Sequence, residues 1–182
     1  MAEAIRSSLP RVLSLRLAFV LIYLGLMMFS LLPLETLPRL LAGPDLMLAL
    51  TLVWAIRRPE LVPGWMLAAL FLLADLLLMR PPGLMAAIAL LGVQRLKRYS
   101  RLMRDRTFVA EWLAAGITCA AILIGYRLAL ITFFLDRPQI AVTLSQLIAT
   151  VAVYPFVSVF SNLFFGLRRA AVGEVDNLGH RI

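Results

Sequence analysis

The sequence predicts an all-α, polytopic membrane bundle of six transmembrane helices with both termini in the cytoplasm. Three observations predict it. The chain of 182 residues is 62% hydrophobic and 15% charged, with a mean hydropathy of +0.92. That leaves too little polar surface to cover a water-soluble domain. Cutting at the polar breaks leaves six apolar stretches, near 17–33, 44–56, 62–79, 82–94, 108–135 and 140–167. Basic residues then alternate between the connections. The N-terminal segment (Arg6, Arg11, Arg16), the second loop (Arg57, Arg58), the fourth loop (Arg95, Lys97, Arg98, Arg101, Arg104, Arg106) and the tail (Arg168, Arg169, Arg181) hold fourteen of the eighteen. Arg39, Arg80 and Arg137 stand alone in the odd-numbered loops, and Arg127 lies within the fifth stretch. Basic loops stay cytoplasmic during insertion. A single integral domain is expected over 1–182, with basic cytoplasmic segments at 1–16 and 94–107 and a cytoplasmic tail at 168–182.

The first stretch, Leu17 to Leu32, follows arginines as a signal peptide would. It is longer than a typical h-region and no small-residue cleavage pattern follows, so it reads as a retained helix. Pro33 and Pro38 end it. Pro44 at a first helical position, followed by Asp45, reads as the start of the second helix, because proline lacks the donor that would be orphaned there and an acid suits that helix end. A crossing helix needs about 20 residues. The second and fourth stretches, Gly43-Pro44-Asp45 to Ile56 and Pro81-Pro82-Gly83 to Val93, are too short for full exposure to lipid. The charge alternation predicts that both cross, shielded by longer helices, with a re-entrant placement as the other reading. The fifth and sixth are long enough to tilt or to extend beyond the hydrocarbon.

Within Gln94 to Arg106, Leu96, Tyr99 and Met103 recur at helical spacing with the arginines on the other face, as in a helix lying at the inner membrane surface. Ile5, Leu9, Val12 and Leu13 repeat the pattern before the first crossing. This basic surface reads as a topology determinant and anionic-lipid anchor; docking of a cytoplasmic partner is the other reading. The net charge of +8, set beside membrane segments, points to anionic headgroups or an acidic partner and not to nucleic acid.

Charges inside apolar helices cost about 2.5–3.5 kcal/mol on insertion scales and normally face a partner within the bundle. The candidates are Asp75 near the outer end of the third helix, Arg127 toward the outer end of the fifth, Glu111 one turn into the fifth, and Asp45 near the outer leaflet. Depth matching predicts that Asp75 and Arg127 pair; alternatively, Arg127 snorkels outward while Asp75 bonds to helix four. A proton relay would need more acids or histidines along a path. No nucleophile–base motif, paired acids at metal spacing, phosphate loop or HExxH is present, so neither an enzyme nor a cofactor is expected. Cys119, the single cysteine, reads as a packing residue, and His180, the single histidine, as a solvated tail residue. Trp54, Trp65 and Trp112 fall near inner ends, as in an aromatic belt. Gly116, Gly125 and the polar residues of Ser158 to Asn162 suit close helix packing.

Gly43-Pro44-Asp45-Leu46, Arg57-Arg58-Pro59, Ala74-Asp75-Leu76 and Pro81-Pro82-Gly83-Leu84, in that order, resemble the rod shape-determining membrane protein family MreD. Ala149-Thr150 to Tyr154-Pro155 and Gly173-Glu174-Val175-Asp176 resemble its alphaproteobacterial branch. The likeness spans nearly the whole chain, with one departure: Ala68-Ala69 to Ala74 stands where a glycine-rich approach to the helix-three acid is usual. The resemblance implies a non-enzymatic component of the bacterial inner membrane that binds MreC and acts with MreB, RodA and the elongation transpeptidase. It also implies a plan similar to the substrate-binding components of energy-coupling-factor transporters. A small vitamin-like ligand is therefore the alternative to a partner's transmembrane helix.

Overall fold

The computed structural model describes residues 2–32, 42–102, 107–136 and 138–167, with side chains placed from Pro10 onward and up to Ser100 in the second of these segments. All its regular elements are helices: α1 (Ala2–Leu31), α2 (Leu46–Arg57), α3 (Gly64–Leu77), α4 (Leu84–Leu102), α5 (Phe108–Thr132) and α6 (Ile140–Phe165). Three of them contain segments long and apolar enough to cross a membrane: Pro10–Leu31, Phe108–Thr132 and Ile140–Phe165. The single arginines Arg39 and Arg137, the basic Arg104 and Arg106, His180 and the whole 168–182 tail lie outside the described residues.

Two boundaries differ from the sequence reading. At about 1.5 Å per residue, the 12 residues of α2 and the 14 of α3 give lengths of about 18 and 21 Å. The short pair is therefore α2 and α3, not the second and fourth. The fourth helix runs 19 residues without a break at Gln94, so the basic segment expected as a separate surface helix continues α4 instead. Gln94 carries no breaker, and good helix formers follow it. Likewise α1 is continuous through Pro10, placing Arg11 and Arg16 on the helix.

The short helix α2 is the axis of the bundle. Nine consecutive residues, Met47 to Ala55, are buried, which requires cover on every side of the helix. That cover comes from α1, α4, α5 and α6, while α1–α3, α3–α4, α4–α5 and α5–α6 pack as neighbours. Shielding of the second helix by longer ones is thus observed. The expected cover of the fourth is partial, since Leu91 on α4 is 72% exposed. An aromatic column joins the elements: Phe19 meets Trp54 at 5.2 Å between centroids, Trp54 meets Phe165 at 5.5 Å, and Tyr23 packs edge-on against Phe71 at 5.8 Å.

Helix α6 shows the polarity of the exterior most plainly. Its buried residues are Thr150, Tyr154, Ser158 and Ser161, one stripe at helical spacing, whereas Leu144, Ile148, Phe156, Val159, Leu163 and Phe164 face outward. That is the inverse of a water-facing helix.

Proline at position 155 denies the backbone N–H that Val151 would otherwise receive four residues earlier. The Trp112 indole N–H donates to Val151 O at 2.8 Å and restores the missing bond from α5.

Close packing falls on Gly125, as expected, and more tightly on Gly92, a glycine the sequence reading did not single out. A Cβ at Gly92 of α4 would stand 2.6 Å from Ile122 Cγ1, so glycine is needed at this crossing of α4 and α5. A Cβ at Gly116 would meet Val151 at an ordinary 3.6 Å, and one at Gly125 would meet Ile88 at 3.3 Å.

Candidate functional site: two polar clusters at the ends of the bundle

At one end, the C-terminus of α2 is tied to α5, to α6 and to the segment beyond α6 through one side chain. Arg57 Nε donates to Glu111 Oε1 at 3.1 Å, Nη1 donates to the carbonyls of Ser158 and Leu167 at 3.1 Å each, and Nη2 donates to Ser158 Oγ. Tyr154 Oη donates to the same Glu111 oxygen at 2.8 Å, and Trp54 Nε1 donates to Ser161 Oγ at 3.3 Å. Position explains the set. Arg57 is in the last turn of α2 and Glu111 in the first turn of α5, where each charge complements its helix end. The planar fork of the guanidinium suits several acceptors at once.

Neighbouring cations hold the connection between α2 and α3. Arg16 Nη2 donates to Glu60 O at 2.8 Å, Lys97 Nζ donates to Val62 O, and Arg58 pairs with Glu60 at 3.7 Å. Lys97 is 7% exposed. It is therefore not part of a basic surface, contrary to the sequence reading. A long stem lets its ammonium reach a backbone carbonyl that no helix satisfies. Arg95 and Arg98 are exposed as expected. The side chain of Arg101 lies outside the described residues. Tyr99 is exposed beside the two arginines and not on an apolar face with Leu96. Trp54 is fully buried and Trp112 part-buried, so of the expected belt only Trp65 stands free on the exterior.

The opposite end is organised by short acids. Asp45 is the N-cap of α2 itself, with Oδ1 accepting from Leu48 N at 2.9 Å, so the helix starts at Leu46, two residues beyond the expected Pro44. A carboxylate is a better cap than a proline, because it satisfies a free N–H of the first turn. Asp45 N donates to Thr150 Oγ1 at 2.9 Å, and Ala42 N to Ser145 Oγ at 2.8 Å, so α6 holds the entry to α2.

Asp75 and Arg127 do not pair. Asp75 Oδ2 accepts from Ala86 N at 3.1 Å, in the first turn of α4. Arg127 Nη1 donates to Pro138 O at 2.7 Å and to Thr143 Oγ1 at 3.2 Å, between α5 and the start of α6. The alternative, in which Arg127 snorkels outward while Asp75 bonds to helix four, holds for Asp75; Arg127 turns toward the end of α5 but bonds to Pro138 O and Thr143 Oγ1 there. Unpaired backbone groups near each charge outcompete a partner two helices away. Asp75 Oδ1 and Tyr23 Oη are both buried without a hydrogen-bond partner, and Phe71, which packs on Tyr23, lies one turn before Asp75 on α3.

Sequence reasoning placed Glu111 inside the membrane and Arg57 in a loop, and so missed their pair. The depth match applied to Asp75 and Arg127 would have found it, since Arg57 is the last residue of α2 and Glu111 lies in the first turn of α5, at the same end of the bundle. Cys119 is a buried packing residue as expected. Together these features define a membrane-like helical bundle whose polar groups are turned inward. No family model, curated protein or solved structure matches the chain.

Proposed function

We propose that this chain is a multi-pass scaffold of the bacterial inner membrane in the manner of MreD. It crosses six times with both ends in the cytoplasm and binds MreC as part of the complex that couples MreB to lateral peptidoglycan synthesis by RodA and its transpeptidase. Supporting the membrane half is α6, which buries its hydroxyls and turns leucine, isoleucine, valine and phenylalanine outward. Supporting the topology is the collection of Arg11, Arg16, Arg57, Arg58, Arg95, Lys97 and Arg98 at or near one end of the helices. The choice of complex rests on the ordered resemblance from Gly43-Pro44-Asp45 to Pro81-Pro82-Gly83.

Affinity purification of the tagged protein from native membranes in mild detergent tests the proposal. Stoichiometric MreC is the expected result; recovery of paired ATPases with a coupling membrane subunit would replace it with a transporter's substrate-binding component. That second reading draws on one observation, the partnerless Tyr23 Oη and Asp75 Oδ1 inside the bundle. Buried polar atoms of this kind call for an occupant.

A further inference from the structure

The cations at the basic end divide into two kinds. Arg16, Arg57 and Lys97 are spent on internal acceptors. Arg95 and Arg98 are exposed and engage no acceptor among the described residues. They lie one turn apart on a face of α4 that changes character along its length: Ala87 and Leu91 are exposed and apolar, and Arg95 and Arg98 follow in the same stripe. Gly64 abuts Gln94, which puts the neighbouring Trp65, 72% exposed, within about one helical turn of Arg95 along the bundle; Tyr99 is half exposed in the next turn.

We propose that this face of α4 is a binding site for one anionic phospholipid. The headgroup phosphate lies between the guanidiniums of Arg95 and Arg98, flanked by Trp65 and Tyr99, and an acyl chain runs along Leu91 and Ala87 between α3 and α5. Each feature selects this occupant. Two guanidiniums one turn apart converge on a single phosphate with charge-assisted bonds. Tryptophan and tyrosine favour the headgroup level. The apolar stripe continues from the arginines in the direction an acyl chain must take into the hydrocarbon. A zwitterionic lipid carries an ammonium that the two arginines repel.

The inference rests on the membrane reading above, and its test separates the two. The full-length protein is first washed in its native membranes with alkaline carbonate. It is then reconstituted in nanodiscs of phosphatidylcholine doped with phosphatidylglycerol, and co-purifying lipid is counted by native mass spectrometry. Retention of phosphatidylglycerol is expected, with a loss of about tenfold or more in R95Q/R98Q, given about 1 kcal/mol per basic residue near an anionic surface. The control Arg11→Gln, at an exposed arginine on α1, should retain the lipid. An unchanged R95Q/R98Q, or an equal loss in Arg11→Gln, overturns the site while the membrane reading stands. Release of the protein by carbonate overturns the membrane reading and the site with it.

Discussion

The two ends of the bundle solve the same problem with opposite charges and different reach. Where α2 ends, long cations cross to other elements: Arg57 to α5, α6 and Leu167 O, Arg16 and Lys97 to the α2–α3 connection. Where α2 and α4 begin, short acids each cap one helix start, Asp45 its own at Leu48 N and Asp75, from α3, that of α4 at Ala86 N. Helix chemistry dictates the division. Free N–H groups at a start accept help from a nearby carboxylate, whereas free carbonyls at an end need a donor, and arginine and lysine carry donors furthest. Consequently the basic end is a cross-linked network and the acidic end a set of independent caps.

Glu111→Ala should break that contrast most severely. It leaves the Arg57 charge buried without its carboxylate, a change that costs about 3–5 kcal/mol in comparable sites. Thermal unfolding of the detergent-solubilised protein checks this, and a loss under about 1 kcal/mol would mean that the network carries little of the stability. Trp112→Phe comes next. It strips the Val151 carbonyl of its donor at about 1–3 kcal/mol, the cost of a buried unsatisfied group. Pro155→Ala restores a backbone N–H to that carbonyl, so the tryptophan change should cost clearly less in the alanine background. Equal costs in both backgrounds would show that proline and indole are unconnected.

Smaller effects belong to the acidic end. Asp75→Ala removes one cap, with an expected loss of about 1 kcal/mol. A loss as large as that of Glu111→Ala would erase the distinction between network and caps. Asp75→Asn combined with Arg127→Gln should be additive within about 0.5 kcal/mol, because the two charges serve different helix ends. Coupling well beyond that would restore the pair that depth alone suggested.

Helix boundaries were legible from sequence where apolar runs met clustered proline and glycine, as at Pro81-Pro82-Gly83 between α3 and α4. They were not legible at Gln94, where composition changes from apolar to basic without a breaker and α4 simply continues. Met79 and Phe134 were hidden for another reason. Both adopt left-handed backbone that closes a helix, with φ of 56° and 53°, a role sequence reading assigns to glycine. Arg80 N donates to Asp75 O and Leu135 N to Leu130 O at 2.9 Å each, completing those turns. Of the acids in the candidate site, Asp45 was recognisable at its helix start, because capping is local. For Asp75 the sequence left two partners open, Arg127 and helix four, and packing chose helix four; the partner of Glu111 was not legible, since Arg57 lies on a different helix.

Composition and periodicity by themselves determined that this chain forms apolar helices, roughly where they lie, and which connections carry the positive charge. These follow from local propensity and from the cost of exposing apolar surface to water. Only the tertiary structure decided that α2 is the axis, that Gly92 sets the α4–α5 crossing, and that Lys97 and Arg57 point inward while Arg95 and Arg98 do not. Side chains of one residue type on one helix differ in role only through what stands within hydrogen-bond reach, and that is fixed by packing between elements distant in sequence.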